Sequence, residues 1–250
     1  MDKPVLTEEV QRQRDFYRDN AELYDTGWSE VWTEAILPFP LLLGLLDVFQ
    51  VQSLLDLGTG SGRALRTIRL FKPDLKMLGI EPSEHLRQKA FKAGLSEDQV
   101  IDGDAMKIPY PDNSFDLVCE IGALHHIPTP SLAVAEMCRV ASKLVFISDI
   151  NNFGEGSPGT RLMKQMLNAT RLWKWANLIK TRGRGYRESG GDGISYSYSV
   201  FNDLPILERE CRSVHTFNLN GSTRSHYRGA ANLVVVGIIT DEVAGLPGRV

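Results

Sequence analysis

The amino-acid sequence predicts an α/β fold, in which a mainly parallel sheet is covered by helices on both faces. Three observations lead to this prediction. Short, continuously apolar segments alternate with amphipathic segments between residues 53 and 148, a pattern typical of buried parallel strands joined by helices. A turn with spaced glycines connects the first apolar segment to the next helix. The sequence shows neither an internal repeat nor a linker that would separate independent domains.

The elements of the first part follow from apolar runs and the residues that bound them. A polar, helix-like segment covers the first 34 residues, and an apolar helix is expected over Leu41 to Val48. Ser83 is a suitable N-cap for a helix that ends near Gly94. Strands are predicted at 53–57, 76–80, 99–101, 115–120 and 143–148, with helices at 64–71 and 131–140.

The regular alternation stops after Asp149. A single helix is predicted over 161–180, followed by a glycine-rich stretch at 183–193 and a strand at 194–200. Two last strands are expected at 212–219 and 232–239. The predicted units are a helical cap (1–50), an α/β core (51–150), an insertion (151–211), a final strand pair (212–240) and a tail (241–250).

Composition limits the class of protein. The chain has 250 residues, a formal net charge of −3, 42% hydrophobic and 24% charged residues, which is typical of globular proteins. Three scattered cysteines without a CxxC pair indicate neither a zinc site nor a disulfide framework. The first residues lack a signal-peptide pattern, and the apolar run from Ile36 to Leu46 is too short to span a bilayer. We therefore expect a cytoplasmic protein without a transmembrane segment.

The glycine turn is the most informative segment. It carries Gly58, Gly60 and Gly62, with Asp56 two residues before the first of them. Glycine adopts positive φ readily and lets a ligand approach the backbone closely. A dinucleotide site of the GxGxxG type would need glycine where Arg63 stands. A carboxylate at Asp56 would also repel a pyrophosphate, whereas it suits a cationic ligand.

This pattern resembles the class I S-adenosylmethionine-dependent methyltransferases. Asp56 and the three glycines match the first motif of that family, Glu81 matches the acid that binds the ribose hydroxyls, and Asp104 matches the acid near the adenine. The resemblance implies a Rossmann-like, mainly parallel seven-stranded sheet with a lid insertion after strand five, and S-adenosyl-L-methionine as the cofactor. The cofactor-binding residues it implies are Tyr24, Asp56, Gly58, Thr59, Gly60, Gly62, Glu81, Pro82, Asp104, Ala105, Met106, Glu120 and Ile121.

Two histidines follow the fourth strand, at the edge where ligands bind in such sheets. His125 or His126 can serve as the general base that accepts a hydroxyl proton, since imidazole titrates near neutral pH. The alternative is that both histidines only shape the pocket. Oxygen-bearing side chains at Glu120, Asp149 and 151–152 suggest a magnesium site, but their spacing differs from that of catechol-type methyltransferases. We predict no metal.

The acceptor site is expected within residues 151–230. Candidates for substrate contact are Tyr17, Asp149, Tyr198, Arg224 and His226. Tyr17 and Tyr24 belong to a segment that resembles a family helix closing over the cofactor, although either tyrosine can equally be core packing. Residues 161–187 contain eight Lys or Arg and no acid, with Trp173 and Trp175 among them. This segment suits an anionic membrane surface, RNA, an anionic small molecule, or simply a solvated basic face.

The predicted activity is methyl transfer from S-adenosylmethionine to a small molecule, with a hydroxyl of a polar or anionic compound as the expected acceptor. An RNA methyltransferase using the basic segment is one alternative, although we favour a small molecule over RNA. A non-catalytic, cofactor-binding regulatory protein is another. DNA is not expected as a partner, because Glu120 to Ala123 stand where amino-methylating enzymes carry an N-P-P-Y motif. The sequence leaves the oligomeric state open.

Overall fold

A computed structural model describes residues 8–24, 37–189, 193–219 and 225–240, with side chains in the first segment described for 11–19. Its centre is a seven-stranded sheet in the order β3-β2-β1-β4-β5-β9-β8. The strands are β1 Ser53–Leu57, β2 Lys76–Ile80, β3 Val100–Ile101, β4 Phe115–Ile121, β5 Ala141–Ile150, β8 Ser213–Asn218 and β9 Asn232–Ile238; β6 Tyr186–Ser189 and β7 Gly193–Tyr196 form a separate hairpin.

Strands β1 to β5 are parallel, while β9 runs antiparallel to both β5 and β8. The described helices are α1 Glu8–Tyr24, α2 Pro38–Val48, α3 Arg63–Phe71, α4 Glu84–Lys92, α5 Pro130–Val140, α6 Pro158–Ala169, α7 Trp173–Lys180, α8 Leu204–Glu210 and α9 His226–Gly229. Short 3₁₀ turns lie at Leu124–His126, Asn152–Gly154 and Val200–Asn202. The predicted strand and helix alternation of the first part is confirmed.

The sheet separates two apolar cores because successive side chains of a strand point to opposite faces. Leu54 packs in the core beneath α2, α3 and α4, whereas its neighbour Leu55 packs in the core beneath α5 and α8. In β4, Leu117 packs in the same core as Leu54, and Val118 packs in the same core as Leu55. Burial on both faces accounts for the continuous apolar runs of these strands. It confirms that helices cover both sides of the sheet.

The single helix predicted over 161–180 is wrong, since α6 and α7 are separate helices. Thr170 caps the end of α6, and Arg171 adopts φ of +61°. The N–H of Leu172 then donates to the carbonyl of Leu167 at 2.8 Å, which closes the first helix in a Schellman-type turn. The Thr170 hydroxyl also donates to the carbonyls of Met166 and Leu167, so this polar, β-branched residue favours termination over continuation.

The strand predicted over 194–200 is shorter than expected. β7 ends at Tyr196, after which the chain turns toward the residues that follow β5. Asn152 donates its N–H to the carbonyl of Tyr198 at 3.0 Å, and Ser199 forms an isolated bridge with Asn151. The alternation of Ser and apolar residues over 194–200 therefore covers two different backbone pairings. The first is the hairpin with β6, and the second is with the residues that follow β5. Within the described residues, no helix has both the length and the apolar character to cross a membrane.

Asn151 joins the end of β5 to the final strand pair. It is fully buried, and its Nδ2 donates to the carbonyls of Ala230 at 2.8 Å and Tyr227 at 2.9 Å. Its Oδ1 accepts from the Ser199 hydroxyl at 2.8 Å and from the N–H of Phe153 at 3.1 Å. Both ends of the amide are thus satisfied, and only an amide supplies donors and acceptors in this arrangement.

We expect Asn151→Asp to lower the free energy of unfolding by about 3 kcal/mol, because a carboxylate would face two carbonyl oxygens in a buried site. Chemical denaturation followed by circular dichroism measures this loss. Asn168→Asp is the matched control: Nδ2 of Asn168 donates to the Tyr227 hydroxyl at 2.9 Å, and a hydroxyl can rotate to donate instead. Equal losses in the two variants would contradict the role assigned to Asn151.

Candidate functional site

The glycine turn lies at the carboxyl end of β1, and β2 holds it there. The N–H groups of Gly58 and Thr59 donate to the carbonyl of Ile80 at 2.8 and 3.2 Å. Gly58 has φ of +65°, and a Cβ at this position would come within 2.4 Å of the Ala123 Cβ. The turn that follows β4 therefore packs directly against the glycine turn at Gly58. Only a residue without a side chain fits at this position.

Glu81 follows β2 and reaches back to the glycine turn. Its Oε2 accepts from the N–H of Gly60 at 3.0 Å, and its Oε1 accepts from the N–H of Ser83 at 2.8 Å. The side chain is buried, and this burial raises the pKa of Glu81 to about 7. Each carboxylate oxygen accepts one N–H and has capacity for another donor. Glu81 thus offers two acceptors for a pair of hydroxyls beside the turn.

Asp56 is also buried, but its bonds stay within the protein. Its Oδ2 accepts from the Thr59 hydroxyl at 2.6 Å, and its Oδ1 accepts from the Cys119 thiol at 3.5 Å. Burial raises the pKa of Asp56 to about 6. The structure thus places Asp56 under the turn as a brace, while its negative charge contributes to the potential at this edge of the sheet.

The residues after β3 lie at the next position along the same edge. Asp104 is exposed, and its Oδ1 accepts from the N–H of Met106 at 2.8 Å. Ala105 and Met106 are partly buried against the core. Pro82 is half-buried beside Glu81. An exposed carboxylate next to apolar side chains suits a planar, amino-bearing ring.

A buried cluster of three titratable groups joins the ends of β4 and β5. Nδ1 of His125 lies 2.7 Å from Oδ1 of Asp149, and the backbone N–H of His125 donates to Oδ2 at 3.2 Å. Asp149 Oδ1 also accepts from the N–H of Ile150 at 2.6 Å. The Asp149 carboxylate therefore determines both the orientation and the tautomer of the His125 ring, placing the ring lone pair on Nε2.

Glu120 completes the cluster from β4. Its Oε1 accepts from the N–H of Ala123 at 2.6 Å, while among the described residues no donor points at its Oε2. Burial, followed by the charge of Asp149, raises the pKa of Glu120 well above its ordinary value. Burial alone would also raise the pKa of Asp149, but the charge and hydrogen bond of His125 hold it below its ordinary value. The two shifts have opposite directions: the surroundings favour the protonated form of Glu120 and the charged form of Asp149.

His126 occupies a different environment from its neighbour. Its Nδ1 lies 2.5 Å from the carbonyl of Ile194 in β7, and its ring packs against that of His125 with centroids 4.0 Å apart and planes tilted by 44°. The Tyr17 ring of α1 meets His126 edge-on at 6.4 Å. A carbonyl fixes the His126 ring without supplying the negative charge that would stabilise an imidazolium. Of the two predicted bases, His125 has the geometry for proton transfer.

The other predicted contact residues are dispersed. Tyr198 is buried, and its hydroxyl donates to Asp203 at 2.9 Å. Nδ1 of His226 lies 2.9 Å from the Thr216 hydroxyl, at the amino end of α9. Ile121 is half-buried at the end of β4. The Tyr24 side chain and Arg224 lie outside the residues that the structure describes.

The oxygen-bearing side chains after β5 serve the protein itself. Asn151 has the four partners given above, and Asn152 accepts through Oδ1 from the Lys164 ammonium at 3.1 Å. Throughout the described ranges, no group of three or more His, Cys, Asp or Glu residues has an arrangement that holds a metal ion.

The His125–Asp149 contact is the site feature that the sequence does not reveal. The two residues are 24 positions apart. The sequence predicts His125 as a base and Asp149 as a substrate contact, without a link between them. The available signal is positional, since both side chains stand at the carboxyl ends of neighbouring parallel strands. The Thr59 and Cys119 contacts to Asp56 are equally invisible without the sheet register.

The raised pKa values of Glu81 and Asp56 predict a pH dependence of stability. Both acids lose their protons near pH 4 in the unfolded chain but only near pH 7 and 6 in the folded one. The folded state thus binds more protons between those limits, so the free energy of unfolding falls as the pH rises from 4 to 7. At about 1.4 kcal/mol per pKa unit, Glu81 accounts for about 3 kcal/mol of this fall.

Denaturation at several pH values in wild type and Glu81→Gln measures the contribution. The variant is expected to lose the corresponding part of the slope, whatever its absolute stability, because glutamine does not titrate. Glu136→Gln is a contrasting control: the hydrogen bond to Arg139 lowers the pKa of Glu136, so its contribution lies below the ordinary pKa of a glutamic acid, and its removal leaves the slope between about pH 5 and 7 unchanged. A Glu81→Gln slope identical to that of wild type would refute the assignment.

Comparison with known proteins connects this geometry to a family. Residues 55–145 match the model of a methyltransferase domain. A curated relative, the 27-O-demethylrifamycin SV methyltransferase of Amycolatopsis mediterranei, is 35% identical over 105 residues, which is 40% of this chain and 38% of that protein. The sterol 24-C-methyltransferase of Pneumocystis carinii is 28% identical over 144 residues, which is 51% of this chain and 38% of that protein. The chain therefore spans about two fifths of the length of these relatives.

The fold comparison covers more of the chain. A solved S-adenosylmethionine-dependent methyltransferase of Thermotoga maritima superposes with a TM-score of 0.59 at 15% identity, over 91% of this chain and 100% of that one. At this identity the likeness concerns the fold. It confirms the predicted Rossmann-like fold, a mainly parallel seven-stranded sheet with helices.

Proposed function

We propose that this chain is a class I S-adenosylmethionine-dependent methyltransferase, since residues 55–145 match a methyltransferase domain, and that it methylates a hydroxyl group of a small polar or anionic molecule with His125 as the general base. The observation that carries the proposal is the 2.7 Å contact between His125 Nδ1 and Asp149 Oδ1. A base of this kind is useful for a hydroxyl acceptor, which must lose a proton as it is methylated.

The residues around the glycine turn fit the cofactor. Glu81 has acceptor capacity for two ribose hydroxyls, the exposed Asp104 carboxylate suits an amino group, and the ionised Asp149 and buried acids give the edge a negative potential for a cation. S-adenosylmethionine supplies a methyl group on a positively charged sulfur when bound. The protein then has mainly to position the acceptor and to remove its proton.

The proton path follows from the His125 tautomer. With Nδ1–H held by Asp149, the neutral ring accepts the acceptor's proton at Nε2 as the new oxygen–carbon bond forms. The ionised Asp149 stabilises the imidazolium that results, because opposite charges attract strongly in a buried site. The raised pKa of Glu120 favours its protonated form, so Glu120 does not compete for the proton that is transferred.

Location in the cytoplasm and the lid role of residues 151–211 are predictions from the sequence.

The test measures formation of S-adenosylhomocysteine with panels of phenols, sugar hydroxyls, carboxylates and amines. Turnover with a hydroxyl compound that is lost in His125→Gln, while cofactor binding persists, is the expected result. The matched control is His215→Gln, since His215 is exposed on β8. Cofactor binding without turnover on any panel would favour a regulatory protein. Turnover on RNA alone would favour the RNA alternative, and turnover that His125→Gln leaves intact would remove His125 as the base.

A further inference from the structure

Helix α6 presents its polar side to the protein and its apolar side outward. The inward Lys164 is buried, and its Nζ donates to Asn152. Gln165 donates to the carbonyl of Phe153 at 2.9 Å, and Asn168 donates to the Tyr227 hydroxyl. Helices at a protein surface normally bury their apolar stripe and expose their polar side. The reversal in α6 leaves an apolar stripe without a partner among the described residues.

The outward stripe continues from α6 onto α7. On α6 it consists of Leu162, Met163 and Met166, each more than half exposed. Leu172 precedes α7, and Trp175 and Ile179 lie one turn apart on that helix, 67% and 81% exposed. We call these six residues the apolar stripe. Several exposed apolar side chains on two consecutive helices indicate a surface that another apolar body covers.

The charged residues within the segment that carries the apolar stripe all have one sign. No Asp or Glu occurs between residues 156 and 187, while eight Lys and Arg do. Arg171, Lys174 and Lys180 are exposed, and within the described ranges none of them forms an ion pair with a carboxylate. An apolar stripe with Trp at its centre and a basic border is the composition of helices that lie in the interface of an anionic bilayer.

We propose that α6 and α7 dock this protein on an anionic lipid membrane, with the apolar stripe inserted among the lipid headgroups and acyl chains and the basic border on the headgroup charges. A bilayer surface satisfies the apolar stripe and the basic border together. This proposal does not depend on the methyl acceptor, since it concerns an outer surface and not the His125 site.

Two other occupants agree less well with the same surface. A second copy docked through α6 and α7 would bring two basic borders together with no acid between 156 and 187 to offset them. RNA would meet the basic residues, but aliphatic Leu, Met and Ile side chains do not stack on bases as aromatic side chains do. The exposure of Ile179, at 81%, is therefore best explained by lipid.

The docking surface is connected to the catalytic edge of the sheet. Lys164 of α6 donates to Asn152, which is the second residue after β5 and lies three residues after Asp149. A membrane-bound α6 and α7 would thus hold the carboxyl edge of the sheet close to the bilayer. Acceptors that partition into the headgroup region would reach the site without crossing bulk water.

The test measures co-sedimentation of the full chain with vesicles of phosphatidylcholine alone and of an equimolar mixture with phosphatidylglycerol. We expect binding to the mixed vesicles that weakens with added salt. Trp175→Gln with Ile179→Gln is expected to lower the partition coefficient at least tenfold. Arg171→Gln with Lys174→Gln should lower it about fivefold per charge. Leu70→Gln is the matched control, because Leu70 of α3 has the same 81% exposure as Ile179 but lies outside the apolar stripe.

Each variant is first checked for an unchanged unfolding midpoint and unchanged S-adenosylmethionine binding. Several results would overturn the proposal: no binding to the mixed vesicles, binding that the Trp175 and Ile179 changes leave intact, or an equal loss in Leu70→Gln. A concentration-dependent dimer in analytical ultracentrifugation that these two changes abolish would assign the surface to a second copy instead. A loss of vesicle binding with retained turnover separates this proposal from the proposed methyltransferase function.

Discussion

Replacing Asp149 with asparagine is expected to lower the rate of methyl transfer by about 10²- to 10⁴-fold, the range attributed to general-base catalysis. Asp149 Oδ1 faces His125 Nδ1, and Oδ2 faces the backbone N–H of His125. An amide cannot accept from both. In one orientation its NH₂ group meets the backbone N–H, and in the other it meets Nδ1 and forces the proton of the ring onto Nε2. The second tautomer cannot accept a proton from the substrate.

Asp149 acts through His125, so its test needs a measurement that a general loss of structure would not change. We expect kcat to fall while S-adenosylmethionine affinity is retained, and we expect the rise of the wild-type rate with pH that a general base produces to disappear. His125→Gln combined with Asp149→Asn should be no slower than His125→Gln alone, because both changes remove one unit. Asp116→Asn, at the amino end of β4, is the control. A retained pH profile in Asp149→Asn would remove the positioning role.

Replacing Gly58 with alanine is expected to lower the free energy of unfolding by about 3 kcal/mol and to weaken S-adenosylmethionine binding at least about 100-fold. Positive φ alone costs a non-glycine residue about 1 kcal/mol. The remainder comes from the new Cβ, which would lie 2.4 Å from the Ala123 Cβ and would force the glycine turn away from the turn after β4. Glu81 is bonded to the glycine turn, whereas His125 belongs to the turn after β4. A shift of one turn away from the other therefore changes the distance between Glu81 and His125.

Two further variants separate the steric part from the conformational part. Gly94→Ala has the same need for positive φ, at +99°, but nothing lies within 4 Å of its Cβ, so it is expected to lose only about 1 kcal/mol. Ala123→Gly in the Gly58→Ala background removes the colliding atom and is expected to restore most of the steric loss. Denaturation and calorimetric titration measure both quantities. If Gly58→Ala and Gly94→Ala lose the same stability, the crossing of the two turns has no energetic weight.

The sequence by itself determined the architecture of the core. Apolar runs bounded by turn residues place the first five strands within two residues of their observed ends, because a strand buried on both faces has to be apolar throughout. Ser83 accepts the N–H of Leu86 as the predicted cap. Prediction failed where local pattern and tertiary contact disagree: Thr170 and Arg171 break an otherwise periodic helix, and the segment after Tyr196 leaves its hairpin to pair with residues that follow β5.

The functional site shows the same distinction between features that the sequence predicts and features that depend on tertiary contacts. Spacing and residue type point to the glycine turn, and the resemblance to the methyltransferase family points to Glu81 and Asp104 at the ends of the next two strands. Only the tertiary structure decided which groups act together. The parallel register of β4 and β5 brings Asp149 to His125, burial beside Asp149 raises the pKa of Glu120, and the packing of α6 turns its apolar side outward. Proton affinity and exposure depend on what surrounds a side chain, and the order of residues along the chain does not contain that information.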